Sequence, residues 1–280
     1  MQHHTVTDIR EEQTHKAAFD CIFHKLANEG ELVSPRGLLV KECENFSYVL
    51  PPYIRFSSYV CRKYNVNYFK REFLWYLRGD RFDTSICEHA KMWNDIKNDD
   101  GSINSNYGQY IWNKPTSQFD NVVHILTNDK DSRRASITIL NSDHLLSLTK
   151  DVPCTYSLNF RIRNNVLKMS VLMRAQDAIW GMGNDAPSFS VIHEMVFNAL
   201  KRAYPTLQIG EYFHYVNSFH VYERHFEMLQ KIINGDEYID IKCPKISGPD
   251  EVDFLRNLNY SIIPQEYEFT KWITKINTNN

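Results

Sequence analysis

What this chain lacks narrows its chemistry first. Its six cysteines (Cys21, Cys43, Cys61, Cys87, Cys154 and Cys243) form no C-x-x-C pair. Zinc-ligand spacing is therefore missing, and a dense disulfide framework is not expected at this size. The cysteines read as reduced thiols. No apolar run approaches the roughly 18 residues of a membrane span, and the start, "MQHHTVTDIREEQTHK", lacks the basic-then-apolar order of a secretory leader. A cytoplasmic protein without a membrane partner is expected. Charge of one sign is not in surplus either: 32 basic against 34 acidic residues leave −2. No global field then draws the chain to long nucleic acid, although single nucleotides remain open as ligands. Repeats and low-complexity tracts are also missing.

What is present is an ordinary folded composition: 280 residues, 42% hydrophobic and 24% charged, enough for a substantial core. Apolar spacing predicts a helix over 8–29, then a turn and strands through "SPRGLLVKECENFSYVLPP". A second helix runs through "VNYFKREFLWYLRGD" and stops at Gly79. "SICEHAKMWNDIK" opens as helix and dissolves into polar loop after Lys97. From residue 134 the period shortens towards two, giving a strand at "ASITIL" and a hairpin turning at Asn164-Asn165, a pair that tolerates positive φ. The stretch "GMGNDAP" reads as a tight loop, with Ser188 as N-cap of the helix "FSVIHEMVFNALKRA". A strand at "QIGEYFHYVNSFHVY", a helix at "ERHFEMLQKIING" and smaller fragments after Gly235 complete one α+β domain spanning 1–280.

Taken singly, the motifs are weak. "GMGNDA" matches G-x-G-x-x-A, but a dinucleotide fingerprint follows a buried strand directly, and Arg174, Gln176 and Asp177 are too polar for one. His220 and His225 stand five residues apart, the wrong spacing for two metal ligands on one helix face, so no metal is expected. "DSRR" reads as a solvated turn unless Arg133 and Arg134 grip a phosphate with their forked donors. "VPC" reads as a buried thiol at a strand start.

Their order along the chain says more. "REFLWYLRGD", "INSNYG", "DSRR", "VPC", "MRAQD", the G-x-x-x-D loop from Gly181 to Asp185 and "NSFHVYERH" together resemble the thymidylate synthase family, over a motif-bearing core of about 35–230. The resemblance implies an α+β fold with a mixed β-sheet flanked by helices, one sheet face forming the interface of a homodimer. "INSNYG", "DSRR", "GMGND" and "HVYERH" look most like the phage deoxycytidylate hydroxymethylase branch, which implies a bacterial or phage-infected host cytosol. Where the methylating synthase carries asparagine in its loop, this chain has Asp185, and Thr155 follows Cys154 where the synthase has histidine.

Base chemistry bears on Asp185 independently. Cytosine offers its 4-amino group as donor and N3 as acceptor; uracil offers the reverse. A carboxylate accepts from the amino group, and a proton shared with N3 completes the pair and makes C6 more electrophilic. A site built for one pattern rejects the other by factors of about 10⁴. Asp185 as a mere helix cap is the bland alternative.

The remaining roles are what the resemblance implies. Cys154 would add to C6 as a thiolate, a form that a nearby arginine such as Arg174 favours. C5 would then attack the methylene of 5,10-methylenetetrahydrofolate, with Glu72 moving protons. Water delivery would fall to Glu72 in a network near Tyr107 and Asp185. Arg36, Arg174 and the partner subunit's copies of Arg133 and Arg134 would hold phosphate, and His220 and Tyr222 the sugar 3′-hydroxyl. Asp177, Trp93, Gly181 and Glu72 would serve the folate. Ala175 stands where the family carries a phosphate-binding serine, leaving room beside the nucleotide, so CMP is open beside dCMP. The C-terminus lacks the synthases' short apolar end, which would admit water. The function implied is 5-hydroxymethylation of a cytosine nucleotide; reductive methylation of cytosine and synthase action on dUMP are the alternatives, and a non-catalytic nucleotide-binding relative is a fourth.

Overall fold

The computed structural model describes residues 15–113, 117–146 and 149–277. In chain order the elements begin with α1 (His15–Glu29), β1 (Glu31–Val33), β2 (Val40–Leu50), α2 (Val66–Arg78) and α3 (Met92–Ile96). Then come α4 (Gly108–Trp112), α5 (Gln118–Asn128), β3 (Ser136–Thr138), α6 (Ser142–Leu146) and the hairpin β4 (Thr155–Arg163) and β5 (Val166–Asp177). The long helix α7 (Gly181–Leu200) leads to β6 (Gln208–Tyr222), α8 (Phe226–Ile233), α9 (Pro249–Arg256) and α10 (Glu268–Thr274). The six strands order as β1-β2-β6-β5-β4-β3 in an α+β fold with helices flanking the sheet. Of the expected first helix, residues 8–14 lie outside the described residues.

Two compact units divide the chain. Residues 15–64, 169–191 and 210–242 make the first. Here α1 turns Phe19, Ile22, Phe23 and Leu26 inward against β2 and α8, each such burial stabilising by about 1.5–3 kcal/mol. β2 pairs antiparallel with β6, setting Tyr48 opposite His214 and Glu42 opposite His220. Phe46 stacks on Phe219 at 4.5 Å between ring centroids.

Residues 65–168, 192–209 and 243–277 make the second. α2 starts where the Asn65 side chain accepts from the Tyr68 N–H at 3.0 Å and ends where Gly79 turns left-handed at φ 62°. It buries Phe69, Glu72, Phe73 and Tyr76 at helical spacing. α4 meets α2 so closely that a Cβ on Gly108 would stand 1.6 Å from the Tyr76 carbonyl oxygen. That contact explains the glycine closing "INSNYG". The β4–β5 hairpin turns at Asn164 and Asn165 with φ 50° and 61°, as their short polar side chains permit.

One expectation fails. The "GMGNDAP" stretch is no loop: α7 begins at Gly181 and carries Asp185 in its second turn, with Pro187 inside it. Ser188 is therefore not an N-cap; it sits in mid-helix, and its buried Oγ finds no partner among the described residues. The helix is begun upstream instead. The Asp177 carboxylate accepts from the Ile179 and Trp180 backbone N–H groups at 3.0 and 3.3 Å, closing the turn that enters it. Glycine, asparagine and proline are poor helix formers, and packing overrides them here, since every residue from 186 to 200 is buried.

Candidate active site

In the first unit the candidate residues gather where β5 runs into α7. Asp185 is half-buried, and Gln176 on β5 donates to its Oδ2 at 3.0 Å. The same amide's Oε1 accepts from the Tyr48 hydroxyl at 3.1 Å, both side chains being buried. Burial lifts the Asp185 acid to about 7; the Gln176 bond opposes this and the charge of Asp177 adds to it. Near neutral pH this acid can therefore both accept and donate. Tyr48 stacks on His214 with centroids 4.6 Å apart, and burial drives the imidazole down to about 3, so it stays neutral.

Gly181 stands beside the acid: a Cβ there would lie 3.7 Å from Asp185 Oδ2 and 3.5 Å from the Asp177 Cβ. Gly183 lies over Arg62, a buried guanidinium that bonds the Ser57 carbonyl and hydroxyl at 2.5 Å and lies under the Trp180 ring. Any side chain at 183 would collide with it, at 2.0 Å from its Nη2. Trp180 donates through its indole N–H to His225 Nε2 at 2.9 Å. His220 turns Nδ1 to Ser218, 3.2 Å from its hydroxyl, and stands edge-on to Tyr222. Arg174 and Ala175 are half-buried on β5, and Arg36 is exposed in a turn where it adopts φ 53°.

In the second unit Glu72 is buried on α2, and its Oε1 accepts from the Tyr68 hydroxyl at 2.9 Å. Trp93, also buried, donates its indole N–H to the same hydroxyl at 2.8 Å, so the three form a relay. Tyr107 is buried and stacks on Tyr76 at 5.4 Å. Cys154 is half-buried in the bend before β4. The approach to that bend is anchored by Asp151, which accepts from the Ser105 N–H and hydroxyl at 2.7 and 2.5 Å. Asn104 adds a bond to the Asp151 carbonyl at 2.9 Å. Arg133 and Arg134 are exposed in the turn before β3. Among the described residues no group of His, Cys, Asp or Glu could hold a metal ion, and no helix is long and apolar enough to cross a membrane.

The structure thus brings Asp185, Asp177 and Gly181 together in one unit and Glu72 with Trp93 in the other. Sequence reasoning missed Gln176, Tyr48 and Tyr68. Tyr68 was within reach, since it precedes Glu72 by four residues on a helix face. Tyr48 lies 128 residues from Gln176, and only the fold joins them.

A protein-family model described as thymidylate synthase matches residues 54–268. The deoxyuridylate hydroxymethyltransferase of Bacillus phage SP01 is 29% identical over 217 residues, covering 72% of this chain and 55% of that protein. The chain thus spans about half the length of that relative. The deoxycytidylate 5-hydroxymethyltransferase of Enterobacteria phage T6 is 31% identical over 173 residues, covering 59% of this chain and 70% of that protein. A thymidylate synthase of Bacillus mojavensis is 26% identical over 189 residues, 65% of this chain and 64% of that protein. With most of its length matched by the family model, and the family's blocks standing in order, the chain belongs to the thymidylate synthase family.

Proposed function

We propose that this protein is a folate-dependent hydroxymethyltransferase acting on C5 of a cytosine nucleotide, dCMP or CMP. One observation carries this reading: Asp185 is an acid raised to about 7 whose Oδ2 accepts the Gln176 amide N–H, and among the described residues no basic side chain pairs with it. Such a group accepts from the 4-amino group of cytosine through one oxygen and donates to N3 through the other. Donating to N3 withdraws charge from the ring and opens C6 to the Cys154 thiolate.

In this reading Cys154 bonds to C6 and C5 becomes the nucleophile. 5,10-Methylenetetrahydrofolate supplies the one-carbon unit. Glu72 takes up and returns protons, its orientation held by Tyr68 and Trp93. Loss of tetrahydrofolate and of the C5 proton would leave an exocyclic methylene on the ring; water then adds to that carbon as the Cys154 sulfur leaves C6, so that C5=C6 re-forms and no hydride is taken from the folate. Tyr107 joins Glu72 and Asp185 in handling that water. Among the described residues Asp177 accepts two backbone bonds, and a carboxylate has further lone pairs that suit the N–H groups of a pterin; Gly181 and Trp93 serve the same ligand. Arg36, Arg174, Arg133 and Arg134 hold phosphate beside Ala175, the last two arginines reaching across a homodimer, and His220 with Tyr222 holds the sugar. The whole chain acts as one synthase-like domain.

The test is incubation with the folate donor and each of dCMP, CMP, dUMP and UMP, followed by mass analysis of nucleotide and folate. A hydroxymethylated cytosine nucleotide with tetrahydrofolate is the expected outcome. Dihydrofolate accumulating with turnover would establish reductive methylation instead, and product from a uracil nucleotide alone would overturn the base assignment.

A further inference from the structure

A neutral acid does not by itself choose a base. With its proton on one oxygen it matches cytosine, and with the proton on the other it matches uracil, because donor and acceptor simply exchange places. Burial favours the protonated form of Asp185 up to a pH of about 7 but says nothing about which oxygen carries the proton. Discrimination needs a second group that makes the two oxygens unequal.

The hydrogen bonds behind Asp185 supply one. The Tyr48 hydroxyl donates to Gln176 Oε1 at 3.1 Å, which commits that oxygen as acceptor and turns Nε2 towards Asp185 Oδ2 at 3.0 Å. Tyr48 is held in turn: its ring stacks on His214, and its hydroxyl interacts with that of Tyr212, which lies 2.5 Å from His214 Nδ1. Gln176, Tyr48, Tyr212 and His214 are each at most 2% exposed, so little water is at hand to relax a flipped amide. Gln176 Nε2 also faces the Met173 sulfur at 3.5 Å, a soft acceptor that fits a donor and not a carbonyl. In this arrangement Oδ2 receives an N–H, so a proton on Asp185 stands on Oδ1.

We infer that Gln176, oriented by Tyr48, is a specificity-determining positioning residue: it pins the Asp185 proton to Oδ1 and so makes a neutral acid choose between the cytosine and uracil edges. The inference rests on the proposed reading that Asp185 faces the base. Moving the proton to Oδ2 would set O–H against N–H and strand a buried donor, a penalty that corresponds to selectivity of about 5- to 150-fold.

Equilibrium binding of dCMP and dUMP to the full chain, measured calorimetrically for wild type, Gln176→Met and Tyr48→Phe, tests this without any folate. Gln176→Met, which keeps side-chain length but removes the amide, is expected to narrow the dCMP/dUMP affinity ratio by about tenfold or more, mainly through gain for the disfavoured base. Tyr48→Phe, which frees the amide to flip, is expected to narrow it by less. A residue that only supports the fold would weaken both nucleotides together; an unchanged ratio in a folded Gln176→Met protein overturns the inference. Should that variant not fold, an unchanged ratio in Tyr48→Phe does the same. If wild type prefers dUMP and the ratio still narrows in the variants, the pinning stands and the cytosine assignment falls. If wild type prefers dCMP and the variants keep that ratio, the assignment stands and the pinning falls.

Discussion

The two units each hold a carboxyl group by a neutral donor, and they do so in opposite ways. Glu72 is gripped from its own helix by Tyr68, four residues away, with Trp93 behind it. Asp185 is gripped by Gln176, nine residues back on the preceding strand, whose orientation is set across the sheet by Tyr48, 128 residues distant in sequence. A locally held acid keeps its geometry as long as its helix exists. An acid held through tertiary contacts has its protonation and its hydrogen-bonding edge fixed by the fold, which suits a group that must discriminate.

The largest effect separating the units concerns folding. Gly108→Ala would force a methyl group into the Tyr76 carbonyl at 1.6 Å, so α4 must leave α2. The expected outcome is loss of cooperative thermal unfolding, or a melting temperature lowered by about 10 °C or more, as about 3 kcal/mol or more implies for misplaced backbone contacts. A near-normal melt would mean that the α2–α4 contact is not as close as described.

Next is the chemical step. Glu72→Gln keeps the shape of the group but removes its proton chemistry, and kcat is expected to fall by about 10²- to 10⁴-fold. Nucleotide affinity, measured without folate, should change little. Equal losses in kcat and affinity would make Glu72 a binding residue.

Asp185 gives the first unit a pH dependence of definite sign. The folded chain keeps this proton to about 7, whereas an unfolded aspartate loses it near 3.8. Across that interval the folded state binds a proton the unfolded state has lost, so stability falls as pH rises. In Asp185→Asn this contribution is absent, and its melting temperature is expected to exceed that of wild type more at pH 7.5 than at pH about 4.5. The same difference at both values would contradict the raised acid.

The smallest effect is Tyr68→Phe. It removes one hydrogen bond from Glu72, and kcat is expected to drop by about 5- to 15-fold without a change in base preference. A shift in base preference would erase the separation of roles between the two units.

How much of this was legible in the sequence follows the same division. α2 could be read from its apolar spacing to Gly79 at its end, because those signals are local, while its cap Asn65 emerged only in the structure. The hairpin at Asn164-Asn165 was legible for the same reason. The start of α7 was not: Gly181, Gly183, Asn184 and Pro187 argue for a loop residue by residue, and only burial against the rest of the protein makes them helical. Asp185 itself stood out by its departure from a family block. Gln176 did not, since a glutamine beside an aspartate carries no signal until Tyr48 is brought to it. Motif order thus singled out the candidate residues, while the groups that hydrogen-bond to them had to be found in the fold.

The most direct test of the central claim is kcat/KM for dCMP and dUMP, compared between wild type and Asp185→Asn. An asparagine amide can rotate to offer N–H to O4 and C=O to N3–H of uracil, the Gln176 amide turning with it, so preference is expected to move towards dUMP by about tenfold or more. A ratio unchanged by the substitution would mean that Asp185 does not read the base.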